Sequence, residues 1–153
     1  MDAKEAIGMV RMVRGLHMGA LKDLSEEQLT AVPEGFGNNI LWNAGHIAFY
    51  TCVFLYGPCG KPAPLPGEYK GWFKAGSSPK DWSETPDSKD VLGRLGSQLD
   101  DIEKDFASGA FEGHEGMDLF GNKLDSIPKV LTFHCTHEGI HLGRITSLRK
   151  LIS

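Results

Sequence analysis

His134-Cys135-Thr136-His137-Glu138-Gly139-Ile140-His141-Leu142-Gly143-Arg144, close to the C-terminus, is the stretch whose reading decides the fold. Three of the six histidines fall within its first eight residues. It reads as helix: no proline follows Pro128, and Val130, Phe133, Ile140, Ile145, Leu148 and Leu151 recur at helical spacing. At about 100° per residue, His137 and His141 lie one above the other on one face. Val130, Phe133 and Leu148 point within roughly 40° of His137, so both imidazoles aim at packed interior. An imidazole pair at i, i+4 is the simplest bidentate site a helix offers a transition metal; neutral imidazole suits Zn, Ni, Cu and Fe. Two ligands are too few, and a third must come from elsewhere. The plain alternative is a pair of core histidines hydrogen-bonded to neighbours.

Working outward, the last helix opens at Ser126, a natural N-cap, with Pro128 in the first turn, where a missing N–H costs nothing. Asn38 or Asn39 caps a second helix that runs to about Tyr56 and stops at Gly57-Pro58. Trp42, His46, Phe49, Tyr50 and Val53 share its apolar face, and His46 at the centre of that stripe supplies the missing third ligand across a helix bundle. A first helix spans about Ala3 to Leu24, with Ile7, Val10, Val13, His17, Leu21 and Leu24 on one face and Arg11, Arg14, Lys22 and Asp23 mostly elsewhere. His17 reads as a satisfied core or cleft-edge residue. Ser25 and Gln28 stand at capping-box spacing before a short helical turn. A third helix runs from Ser88 to about Phe106, with Val91, Leu95, Leu99, Ile102 and Phe106 as its seam.

Between helices two and three, residues 57–87 form a Gly- and Pro-rich crossover. A structureless insertion of that length is unusual. Tyr69, Trp72, Phe73 and Trp82 give it apolar anchors, so it is expected to drape over the bundle, either covering one mouth of the histidine site or simply packing as an extended connection. Residues 111–125 are irregular, with room for a small hairpin, and His114 there reads as an exposed loop histidine. The expected fold is all-α: a four-helix bundle, up-down-down-up, with a long crossover between helices 2 and 3, in a single domain over residues 1–153.

Composition narrows the classes. The net charge is -4 with 41% hydrophobic residues, ordinary for a globular chain. No basic block and no RRM, zinc-finger or P-loop pattern supports nucleic-acid binding. No apolar run approaches about 18 residues, so no membrane span is expected. Met1 leads into Asp2, Lys4 and Glu5 rather than a signal peptide's apolar core. Cys52, Cys59 and Cys135 are widely spaced with no CxxC, which fits a reduced, cytoplasmic protein.

Leu41-Trp42-Asn43-Ala44-Gly45-His46-Ile47 resembles the second-helix motif of the DinB/YfiT-like superfamily, and His137 through Ile145 resembles its last-helix motif, His-x-x-x-His followed by Gly and a polar residue. The resemblance spans the chain in element order. It implies a metal triad on His46, His137 and His141, a divalent ion (nickel or zinc), open coordination positions facing a cleft, and a homodimer. It further implies a thiol-dependent S-transferase or isomerase using a low-molecular-weight thiol with a small electrophilic substrate. Three histidines plus water suit a catalytic rather than a structural site, because structural zinc is closed by four protein ligands. Asn43 and Glu138 are candidates to orient the imidazoles. Gly139 and Gly143 suggest close helix approach.

Alternatives are a metal-dependent hydrolase, with water in place of thiol, and a non-enzymatic metal-binding bundle. The string His137-Glu138-Gly139-Ile140-His141 also matches H-E-x-x-H, the zincin protease signature, with Glu138 as base. Against it, only 12 residues follow His141, none His, Asp or Glu, and Glu138 sits about 100° round the helix from His137, where it reads as exposed. His134 is too far from His141 along the axis to share an ion with it and stays outside the ligand set. Cys135 points away from the triad and reads as buried and inert.

Overall fold

The computed structural model describes residues 1–152. It is mostly helical. Four long helices carry it: α1 (Ala3–Leu21), α3 (Ile40–Tyr56), α5 (Ser88–Ala107) and α6 (Ile127–Leu151). Two short helices, α2 (Glu26–Thr30) and α4 (Glu68–Phe73), and one hairpin, β1 (Met117–Leu119) with β2 (Asn122–Leu124), complete it.

Side-chain chemistry sets the helix starts. Asp2 and Glu5 form a reciprocal capping box at α1, and Ser25 with Gln28 does the same at α2. Asn39 Oδ1 accepts from Trp42 N at 2.7 Å. Asp87 caps α5, so Ser88 is its first helical residue. Ser126 occupies the N-cap of α6 but makes no side-chain capping bond. α1 ends at Leu21 rather than Leu24, because Lys22 is extended and Asp23 turns left-handed at φ 63°.

Contacts between the long helices give their relative directions. Along α1 and α5, Arg11 pairs with Asp100 and Glu103 while Arg14 reaches Leu95 O, so the numbers run oppositely. Along α3 and α6, Asn43 meets His141, His46 meets His137 and Thr51 meets His134, again oppositely. α1 and α6 ascend together, from Arg14–Glu138 to Ala20–Arg149. α3 and α5 also ascend together, from Ala48–Gln98 to Tyr56–Asp105.

Burial corrects several readings. The inward stripe of α6 is Leu131, His134, Glu138, His141, Ile145 and Leu148, while Ile140 and Leu151 are exposed. Glu138 is therefore fully buried, not exposed. On α1 the stripe includes Arg14, which is buried, whereas Val13 is only half-buried. Gly139 and Gly143 face solvent, and a Cβ there would meet nothing within 4 Å, so they do not mediate helix approach. The crossover is not structureless: it holds α4 and two single 3₁₀ turns, Gly57–Cys59 and Pro79–Asp81. Its anchors Tyr69 and Phe73 are buried in the core cluster that includes Ile40, Leu41, Ile47, Leu95 and Leu148.

Candidate metal centre

α3 and α6 bring His46, His137 and His141 together at mid-height. Their ligating ring nitrogens all lie within 4.8 Å of one another. His46 and His141 are buried and His137 is half-buried. Nε2 of His46 faces Nε2 of His137 at 3.2 Å.

The far nitrogens fix the tautomers of two of the three rings. His46 Nδ1 lies 2.7 Å from the carbonyl oxygen of Phe73, which can only accept, so Nδ1 carries the proton. His141 Nδ1 lies 2.8 Å from Asn43 Oδ1. Asn43 Nδ2 donates to Asn39 O at 2.7 Å, which leaves Oδ1 as the face presented to His141. Both rings are thus left with a bare Nε2. His137 Nδ1 is buried and unpartnered. Burial is the first cause holding all three imidazoles neutral: His46 falls to about 4, His137 to about 3 and His141 to about 2, each aided by the neighbouring histidines.

This donor set fits a divalent ion. Two nitrogens about 2.0–2.1 Å from a common tetrahedral ion sit roughly 3.3 Å apart, close to the observed separation of His46 and His137. Two bare nitrogens turned toward one point, with a third ring beside them, are mutually repulsive unless a proton or cation lies between them. Among the described residues the group has three members and no fourth protein ligand.

Aromatic rings wall the group. Trp42 stacks on His46 with centroids 4.5 Å apart, Tyr50 lies 4.5 Å from the same ring, and Phe54 and Phe133 flank His137 at 5.8 and 6.5 Å. Low polarity around the rings is what depresses their basicity.

The neighbouring polar residues form a separate cluster turned toward α1. Arg14 Nη2 and Nε bind Glu138 at 2.6 to 3.2 Å. Arg14 also reaches Leu95 O, Gln98 Oε1 and Thr51 Oγ1. His134 Nε2 lies 2.8 Å from Thr51 Oγ1 and 3.1 Å from Glu138 Oε1. Thr51 spends its own proton on Ile47 O, so it accepts from His134. His134 is thereby occupied outside the histidine group. His17 Nε2 donates to the backbone oxygen of Glu138 at 2.9 Å, a satisfied core residue, though its Nδ1 has no partner. Burial raises the Glu138 pKa, but the His134 hydrogen bond and the Arg14 charge outweigh it and bring the carboxyl down to about 2. Glu138 is an ionised, fully engaged structural acceptor, which removes it from the general-base role that H-E-x-x-H suggests. Cys135 is half-buried, and His114 is half-buried, with Nε2 bonded to Phe54 O.

Three participants were not read from the sequence: Arg14, Thr51 and the carbonyl of Phe73. Arg14 lies seven residues before Leu21 and after Ile7, the same heptad stripe, which was the available signal. A backbone carbonyl carries no residue-type signal at all.

The family model described as the DinB superfamily matches residues 10–145, which contain all three histidines. No curated protein matches the chain.

Proposed function

The chain belongs to the DinB superfamily, and from that premise we propose that His46, His137 and His141 hold one divalent metal, zinc or nickel, in a metal-dependent enzyme. The most favoured activity is thiol-dependent S-transfer to a small electrophile. The observation that carries it is the group of three neutral imidazoles with no fourth protein ligand among the described residues, the arrangement of a reactive rather than a closed site. The ion would supply Lewis acidity that favours the anionic form of a thiol or water near neutral pH.

The chain's own residues do the rest. Phe73 O and Asn43 Oδ1 hold the protons of His46 and His141 on Nδ1 and aim each Nε2 inward. Trp42, Tyr50, Phe54 and Phe133 exclude water from the rings and offer an apolar wall to a substrate. In the transfer itself the thiol gives up its proton to solvent, its sulfur forms a bond to the electrophilic carbon, and the bond from that carbon to the displaced group breaks, its electron pair leaving with that group.

We further read the four long helices as one up-down-down-up bundle and a single domain, supported by the two parallel and two antiparallel pairings above. Among the described residues no helix is long and apolar enough to cross a membrane, which is compatible with the cytoplasmic setting proposed from the cysteines. A homodimer is supported by the large apolar side chains exposed on two helices, Met9, Met12 and Leu16 on α1 and Ile140 on α6.

The test is a thiol-consumption assay on zinc- and nickel-loaded protein with cysteine or glutathione and an activated aryl halide, beside p-nitrophenyl acetate without thiol. Metal-dependent conjugation that disappears in His137→Ala supports the transferase. Thiol-independent ester cleavage moves the assignment to a hydrolase, and metal binding without either turnover moves it to a non-enzymatic bundle.

A further inference from the structure

Trp42, His46 and Tyr50 stand at i, i+4 and i+8 on α3, and each is tied to the same short piece of the crossover. Trp42 Nε1 donates to Ser77 Oγ at 3.0 Å. His46 Nδ1 donates to Phe73 O at 2.7 Å. Ala75 N donates to Tyr50 Oη at 3.1 Å. Residues separated by four lie on one helix face, so residues 73–77, which turn back on themselves through Ser77 N to Lys74 O at 3.1 Å, form a strap folded over the face that presents His46.

The strap is fixed at its leading end. Phe73 is fully buried, and its ring sits where a side chain on residue 45 would be: a Cβ built on Gly45 would lie 2.3 Å from Phe73 Cε1. That ring is walled by Tyr69, Trp72 and Trp82 at 5.1 to 6.0 Å, so it has little room to move aside. Tyr69 in turn donates to Asp90 Oδ2 at 2.9 Å, tying α4 to the first turn of α5. Gly45 thus permits the close approach that sets the Phe73 carbonyl on His46.

We propose that the strap is a positioning element of the histidine group: strap docking and metal binding are coupled through the Phe73 carbonyl. With the strap docked, His46 is confined to one ring orientation and one tautomer, the one with Nε2 bare. With it displaced, Nδ1 loses its acceptor, the ring rotates, and the proton exchanges between nitrogens. Because linkage is reciprocal, a metal that prefers the docked state must hold the strap down by the same factor. The inference rests on the metal reading above and adds to it a part of the chain with no ligand of its own.

The experiment measures zinc affinity by competition with a chromophoric chelator, and amide hydrogen exchange of residues 73–77 with and without zinc. The variants are Gly45→Ala, which drives the Phe73 ring out, and the milder Tyr50→Phe/Ser77→Ala, which removes the two side-chain bonds of Tyr50 and Trp42 to the strap and, with the Ser77 hydroxyl, its contacts to Trp72 O and Lys74 O. Lys74→Ala, an exposed strap position, is the control. Loss of a partner that orients a ligand typically weakens metal binding 10–100-fold. We expect about that loss in Gly45→Ala, a smaller loss in the double variant, none in Lys74→Ala, and slower exchange of the Ala75 amide in zinc-loaded parent. Both folded variants binding zinc within twofold of parent, or an Ala75 amide indifferent to zinc, would overturn the coupling. A parent that binds no zinc would overturn the metal reading instead and remove the coupling with it.

Discussion

Glu138→Ala should have a large consequence for folding. It strands Arg14, whose guanidinium is buried against α3, α5 and α6 and makes three of its contacts to the Glu138 carboxylate. Thr51, Gln98 and Leu95 O still accept from Arg14, but none carries charge. Breaking a buried ion pair by removing one partner costs about 3–5 kcal/mol, because the remaining charge is left uncompensated in low dielectric. At roughly 2–4 °C per kcal/mol for a chain of this size, the melting temperature should fall by about 6–20 °C. Arg14→Met should cost less, because the carboxylate loses its cation but keeps the hydrogen bond from His134 Nε2 at 3.1 Å. The double variant Arg14→Met/Glu138→Leu replaces both charges with apolar bulk, and should recover most of the loss or exceed the parent. Urea unfolding of the metal-free protein, read by circular dichroism with slope unchanged, supplies the free energies for the double-mutant cycle. A Glu138→Ala loss below 1 kcal/mol, or a double variant as unstable as the sum of the singles, would refute the reasoning.

Three other outcomes follow from named groups. The metal-free protein should lose stability as pH falls below about 6.5, where the unfolded histidines take up protons; the folded His46, His137 and His141 resist until about 4, 3 and 2. The sign is that of depressed pKa values, stability full above the unfolded value and declining toward the folded ones, and a flat pH 5–7 profile of urea midpoints would contradict it. Burial raises Cys52 to about 11, and the residue is 1% exposed, so Ellman's reagent should label Cys59 first and Cys52 only on unfolding. Phe120 sits at the hairpin turn at φ 50° and 88% exposed, where a bulky residue is disfavoured, with its ring centroid 6.3 Å from that of Phe133; Phe120→Asn should stabilise the protein by about 0.5–1 kcal/mol, and a lower melting temperature would show that the Phe133 contact outweighs the strain.

The candidate site was legible where chemistry and helical phase coincide. His46 on an apolar face and His137/His141 at i, i+4 were readable because a polar ring on a buried stripe stands out. So was Asn43, one turn from His46. Arg14 and Glu138 are hidden for the complementary reason: a charge on a helix reads as lying off the apolar face, and only the meeting of α1 with α6 turns two costly buried charges into one satisfied pair, with Glu138 orienting His134 rather than the three grouped imidazoles. The true phase of α6 runs through His134, Glu138 and His141, whereas the apolar residues Ile140 and Leu151, which suggested a different phase, are exposed. Helix α4 escaped because six residues between glycines and prolines carry too short a period to read. Its Tyr69 and Phe73 nevertheless marked the crossover as packed rather than loose.

The most direct test of the central claim is the metal content of tag-free protein by elemental analysis, set beside a His46→Ala/His137→Ala/His141→Ala variant. A three-histidine centre predicts about one zinc or nickel per chain in the parent, lost in a variant that stays folded because Arg14–Glu138 and the apolar core do not depend on it. A parent with no metal even after incubation with both ions, or a triple variant that keeps its metal, would contradict it.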